Sequence, residues 1–250
     1  MSSDTIYDPV RVSGADAVTF LNGQFTGNVS TLTDKDTLFG AFCSPKGRTL
    51  ALAVLVACDD GIELWTPRRG RDDLIAHLSR YILRAKVRFE TISSDRSVDV
   101  PLPDGGVFSI TDPNLEARAA EAGMPLIDER TRDLFVPQMI NLDLLGGVDF
   151  KKGCYTGQEI VARTHFLGKS KRRLLAYAHR PHATVNVGDT VRVAGGSAAG
   201  KVVVVGSDRV LVSLQLRFSD AALVAGDAHH PLGDPLALPY AIPELAPTAE

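Results

Sequence analysis

Apolar positions in this chain recur with two periods, and the switches between them predict its elements. "RVSGADAVTFLNGQF", residues 11–25, begins with strand alternation and continues with Ala17, Phe20, Leu21 and Phe25 at helical spacing. Ser13 is the expected N-cap of that helix, with Asp16 at its N3 position. "TLFGAFCSPKGRTLALAVLVACDDGIELWTP" reads as three strands separated by the turns "SPKG" and "DDG". "RRGRDDLIAHLSRYILRAK" predicts an amphipathic helix with Leu74, Ile75, Leu78 and Ile82 on one face, and "VRFETIS" a closing strand. The order β-α-β-β-β-α-β is an α+β pattern of the split β-α-β type.

Residues 93–127 carry weaker signals: a hairpin in "SVDVPLPDGGVFSIT" and a short helix in "NLEARAAEAG". From about residue 170 the period stays at two. "RRLLAYAHR", "DTVRVA", "GKVVVVG" and "RVLVSLQLRF" are short runs broken by Gly and Asp, which predicts a small all-β barrel or sandwich. The expected division is 1–168 and 169–250. Prolines 231, 235, 239, 243 and 247 predict an extended segment on the surface whose last residues are disordered. The sequence has no internal repeat.

Composition narrows the function classes without choosing one. Of 250 residues 44% are hydrophobic, and 27 Lys and Arg stand against 30 Asp and Glu. That is enough apolar mass for a sizeable core, and the overall charge favours neither a nucleic acid nor a membrane surface. The opening "MSSDTIYDPV" has no basic or apolar leader region, and the apolar run Leu50 to Cys58 is too short to span a bilayer, so a cytoplasmic protein is expected. Three cysteines at wide spacing, Cys43, Cys58 and Cys154, argue against a disulfide framework. Cys58, at the end of an apolar strand, reads as a small core residue. The adjacent His229 and His230 lack further ligands at metal spacing, and no glycine-rich nucleotide motif is present.

The chemistry concentrates in "KKGCYTGQE", residues 151–159. Thr156 and Glu159 fit a capping box, which predicts a helix running through "GQEIVARTH". Cys154 then falls just before a helix N-terminus and beside Lys151 and Lys152, and both features favour a thiolate. Glycines 153 and 157 leave the sulfur open to a visitor. His165 is the nearest histidine in sequence, too far along for spacing to argue a role. Residues 151–173 hold seven Lys and Arg against Glu159 alone, and a second basic run covers Arg68, Arg69, Arg71, Arg80, Arg84, Lys86 and Arg88. Such runs are usually solvated faces; the sharper alternative is a site for a polyanion or a carboxylate-bearing ligand.

"KGCYTGQEIVAR" resembles the signature of the YgfZ-type folate-binding family, relatives of the aminomethyltransferase (T-protein) of the glycine cleavage system. "VSGADAVTFLNGQFTGNV", "GAFCSPKGRTLA" and "VPQMINLDLLGGVDFKKGCYTGQE" are similar to that family's blocks and stand in its order, covering residues 8–175. The resemblance implies a T-protein-like α+β folate-binding region around a central cavity, followed by a small C-terminal β-barrel. It implies tetrahydrofolate, or a one-carbon derivative, as the bound cofactor. It also implies a role in assembly or repair of iron–sulfur clusters in client enzymes, including radical enzymes that modify transfer RNA. Iron–sulfur client or scaffold proteins would be the partners.

Cys154 would be the functional thiol, and a possible transient cluster ligand. Lys152, Gly153, Tyr155, Gly157, Gln158 and Glu159 match the signature, and Arg163 follows on the same helix. Lys46 and Arg48 of "SPKGR" add two cations in another block. The T-protein's catalytic aspartate lies in a "GGIIDD"-like turn. Here Leu50 and Ala51 fall in its place, so the cousin's aminomethyl transfer is not expected. A folate-dependent one-carbon transferase with other catalytic groups is the alternative. An RNA-gripping module is a third reading, weakened by sparse aromatics near the basic runs: Tyr155, Phe166 and Tyr81.

Overall fold

The computed structural model describes residues 7–34, 36–168, 170–180 and 184–243. The first layer is a five-stranded sheet built from β1 (Tyr7–Ser13), β2 (Thr37–Cys43), β3 (Thr49–Cys58), β4 (Gly61–Pro67) and β5 (Arg88–Thr91). Its order is β2-β3-β4-β1-β5, antiparallel throughout. α1 (Ala17–Asn22) follows β1, and α2 (Arg71–Ser79) joins β4 to β5. Because β1 lies between β4 and β5, the β4-α2-β5 connection is a split β-α-β unit, as the patterning predicts.

Strand alternation gives this sheet two apolar faces. Val12, Phe42, Ala51, Ala53, Leu55 and Leu64 pack with Phe20 and Leu21 of α1 and Leu74 and Leu78 of α2. Tyr7, Phe39, Ala41, Cys43, Leu52, Val54 and Trp65 face the main core. A hairpin, β6 (Asp99–Pro101) and β7 (Val107–Ser109), and α3 (Leu115–Ala122) follow where the weaker signals put them.

After α4 (Gln158–Phe166) come β8 (Arg172–Ala178), β9 (Thr190–Val193), β10 (Ala198–Val205), β11 (Arg209–Gln215), β12 (Leu223–Ala225), β13 (His230–Pro231) and β14 (Pro235–Leu236). They form one antiparallel sheet in the order β13-β12-β9-β10-β11-β8-β14, curled into a half-barrel. Leu174, Ala176 and Leu211 join the main core, while their neighbours Leu175, Tyr177, Val210 and Val212 fill the half-barrel's own core. The main core is thus built from both sides of residue 168. The fold is α+β, and among the described residues no helix is long and apolar enough to cross a membrane.

Four expectations are corrected. Ser13 is still in β1, and α1 has no side-chain cap, because the Asp16 carboxylate accepts the Lys86 amide at 2.7 Å. α2 is shorter than the apolar face suggested: it starts after Gly70 in a left-handed conformation and stops at Ser79, short of Ile82. Cys58 is only half-buried at its strand end. The proline-rich segment does not merely lie on the surface. Ile242 is buried, Leu238 and Tyr240 pack on the cores, and the Tyr240 hydroxyl donates to Gly123 O at 2.7 Å. Pro231 and Pro235 sit in the two outermost strands, where a missing N–H costs least. Pro247 and the last residues expected to be disordered lie outside the described residues, as does Lys169 of the basic run.

Candidate functional site

The three sequence blocks that carried the resemblance meet in space. The chain leaving α1 presents a turn of carbonyls, and a helix C-terminus leaves such groups without intrahelical donors. Lys152 supplies them. Its Nζ donates to the carbonyls of Asn22, Phe25 and Gly27, each at 2.7 Å. The residue is buried, and its ammonium lies 5.3 Å from the Tyr155 ring centre. Burial lowers its pKa to about 8, with Asp149 pushing the other way. Thr26 ties the second block: its hydroxyl donates to Gly147 O at 2.6 Å and accepts the Ala41 amide at 2.8 Å. The Thr156 amide donates to Gly23 O, and the Thr156 hydroxyl to Gln24 Oε1 at 2.9 Å. Lys152, expected to be a cation beside the sulfur, therefore spends its charge on the fold.

The expected capping box is absent. α4 starts after Gly157, which has φ +85° and offers no side-chain cap, while Thr156 is turned to Gln24. The reason is a close approach. A Cβ on Gly157 would stand 2.5 Å from Ser44 O and 2.9 Å from Gly47 Cα. The "SPKG" turn thus docks against the start of α4 through two glycines, with Gly47 at φ +68° facing Ile160. Gly153 has open space around its Cα, so nothing in the packing requires a glycine there.

These two glycines give a paired test. Gly157→Ala must enter the left-handed region and displace backbone, which together should cost about 2–4 kcal/mol. Gly153→Ala should stay within about 0.5 kcal/mol of wild type. Denaturant midpoints measure both. Equal midpoints for the two variants would refute this reading of Gly157.

On this support Cys154 is exposed. Cys43, in contrast, is buried beneath Gly157, and burial, with Asp133, pushes its pKa up to about 12. Tyr155 is buried, and burial, Cys43 and Asp149 raise its phenol above the ordinary value. Gln158 is half-buried, and its backbone N–H donates to Tyr155 O. Glu159 and Arg163 are exposed on α4. Lys46 is exposed at the turn, whereas Arg48 donates from Nη1 to Leu134 O at 2.7 Å. His165 belongs to the last turn of α4, with its ring stacked on Phe150 at 3.6 Å, away from the helix start that Cys154 precedes.

A second feature escaped sequence reasoning. A cleft of about 770 Å³ opens between the first sheet and the 91–116 segment. Tyr7, Pro9, Trp65, Ile110 and Leu115 form its apolar walls, and Arg68, Arg71, Arg96, Asp8, Asp112 and Glu116 its polar rim. Arg68 makes a two-pronged pair with Asp8 at 2.7 and 3.0 Å, and Arg71 reaches the same carboxylate at 3.2 Å. Trp65 Nε1 donates to Glu63 at 3.0 Å. Its members come from four separate stretches of chain; the one available signal was Trp65, the only tryptophan. The second basic run does not form one patch, since Arg68 and Arg71 turn to Asp8 and Arg69 to Glu129. Among the described residues no group of three or more His, Cys, Asp or Glu side chains is placed to hold a metal ion.

No protein-family model matches the chain. It is similar over most of its length to the "Crystal structure of glycine cleavage system aminomethyltransferase T from Bartonella henselae". The TM-score is 0.69 at 10% identity, covering 95% of this chain and 85% of that one, so the likeness is one of fold. The T-protein-like architecture expected from the sequence is thus present. Among curated proteins, "tRNA-modifying protein YgfZ" of Enterobacter sp. (strain 638) is 30% identical, covering 74% of this chain and 73% of that protein. Its counterpart in Hamiltonella defensa is 27% identical, covering 74% and 71%. The chain belongs to the YgfZ family.

Proposed function

We propose that the chain is a tetrahydrofolate-binding accessory factor for assembly or repair of iron–sulfur clusters in client enzymes, radical enzymes that modify transfer RNA among them, with Cys154 as its working thiol. The observation that carries the folate part is the aromatic cleft. Its volume lies in the range of small-molecule sites, about 300–1,000 Å³. Ile92 and Pro113 offer apolar surface to a pteridine ring, beside walls in which Tyr7, Trp65 and Leu115 are almost wholly buried. Asp112 and Glu116 are acceptors for its amino edge, and Arg96 suits the carboxylates of a glutamate tail. The donor set therefore fits a reduced folate. Bound folate would carry one-carbon units; the protein's part is to hold and orient it.

The cluster part rests on Cys154. A single exposed cysteine supplies one ligand, and clusters are held by several, so the remaining ligands come from the client or scaffold protein. The names of the relatives support RNA-modifying enzymes as clients. A one-carbon transferase is the lesser reading, because Leu50 and Ala51 are buried apolar residues of β3.

Tetrahydrofolate at a hundredfold excess over its Kd should stabilise the protein by about 2.7 kcal/mol. For a chain of this size that raises Tm by roughly 5–10 °C. Trp65 fluorescence should change with it, and Arg96→Ala, at a side chain 46% exposed on the cleft rim, should weaken the shift. A folded wild type whose Tm ignores saturating tetrahydrofolate would end the folate reading.

A further inference from the structure

The end of α4 carries a feature that neither the thiol nor the cleft uses. His165 stacks on Phe150 with ring centres 3.6 Å apart and planes 13° apart, and Phe166 meets both rings edge-on at 4.8 and 5.9 Å. A folded chain normally buries such a cluster. Here His165 is exposed, Phe166 is 65% exposed, and Leu167 beside it 82%. Arg163 stands three residues before Phe166 and so shares its helix face. Lys151 follows Phe150, and Lys171 follows the helix. All three cations are exposed, and none has an ion-pair partner among the described residues. Glu159, the one acid of α4, lies at the opposite end of the helix.

His165 is also one wall of a second cleft of about 280 Å³, lined by Gln138, Thr164, Ser170 and the buried Arg173–Asp143 pair. Gln138 is almost wholly buried. Its Nε2 donates to Val161 O at 2.8 Å, while its Oε1 has no partner. The cleft thus sets an aromatic wall beside the buried Gln138, just below the lower size limit of small-ligand sites, about 300 Å³.

We propose that the C-terminal end of α4 is a docking surface for single-stranded RNA. Unstacked bases lie on the exposed His165 and Phe166 rings, with the half-buried Phe150 supporting them, one base reaching the cleft behind His165, and Arg163, Lys151 and Lys171 hold the phosphates. Ring faces set among unpaired cations are the chemistry that single strands use, because every base has a face to stack and every linkage a charge. A protein partner fits less well, since protein interfaces are depleted in lysine relative to the rest of the surface. The choice of RNA over DNA rests on the proposed role beside RNA-modifying enzymes. The surface itself does not depend on folate.

The test is fluorescence anisotropy of a labelled single-stranded oligoribonucleotide of about twelve nucleotides, titrated with the full chain at several salt concentrations. Wild type should bind, and log affinity should fall with log salt by about 0.7 for each phosphate held. Phe166→Ala should weaken binding about tenfold, and Arg163→Ala should reduce the salt slope by about one phosphate. Arg84→Ala, an exposed arginine elsewhere, should bind as wild type. Melting curves should show all three variants folded, since the altered side chains are exposed. Tetrahydrofolate binding, measured alongside, should be unchanged in every variant, so failure here is separable from failure of the folate reading. Absence of binding at low salt overturns the proposal, as does wild-type affinity in both Phe166→Ala and Arg163→Ala. A deoxyribonucleotide strand that binds as tightly overturns the choice of RNA.

Discussion

Lys152→Met should lower the melting temperature by roughly 6–12 °C, although it changes a charged residue of a motif that reads as a binding site. Three carbonyls lose their donor at once, and a buried acceptor left unmade costs about 1–3 kcal/mol. Water can reach part of the site after the change, so the expected total is about 3 kcal/mol. The pH dependence has a definite sign. The native pKa is about 8, below the unfolded 10.5, so between these values the unfolded chain binds more protons at this position. The residue's contribution to stability therefore rises as pH goes from about 8 to 10.5 and is flat below. The difference in unfolding free energy between wild type and Lys152→Met should widen across that window. A variant whose Tm stays within about 2 °C of wild type would return Lys152 to the role of a solvated cation.

The contrast between what the sequence disclosed and what it hid follows sequence separation. Strands β1 to β5 were legible because a period of two is written locally, and "SPKG" and "DDG" are turns by their own chemistry. The curled C-terminal sheet was legible for the same reason. The start of α4 was misread because Thr156 and Glu159 have capping-box spacing, while the deciding partner, Ser44, is over a hundred residues away. Local pattern cannot register that Ser44 leaves no room for a Cβ at position 157. Lys152 was misread likewise: the partners of its ammonium are 125–130 residues earlier. The 770 Å³ cleft had no motif at all, since β1, β4 and the 91–116 segment each contribute a few residues that look like ordinary core or loop. The family blocks were visible, and the structure explains why they belong together: Thr26, Ala41 and Gly147 of three blocks share one hydrogen-bonded knot.

That knot changes how Cys154 is held. The sulfur was expected to sit on a capped helix start. Instead its loop is pinned on both sides, by Lys152 two residues before and by Thr156 two residues after, with Tyr155 buried between. A rigid loop with an exposed thiol at its crest separates stability from use. Cys154→Ala should therefore leave unfolding free energy within about 0.5 kcal/mol of wild type, as exposed substitutions do. It should nevertheless abolish support of cluster enzymes in cells that lack the gene, and Cys154→Ser should not restore it, because a hydroxyl is a poor substitute for a thiolate ligand. In a Cys58→Ala background, alkylation of the native protein should label Cys154 and spare Cys43, which burial shields and whose pKa it pushes up to about 12. Denaturant should then expose Cys43 to the same reagent. A Cys154→Ala chain that is folded and fully supports the cluster enzymes would leave the loop a structural clasp with an idle sulfur at its crest.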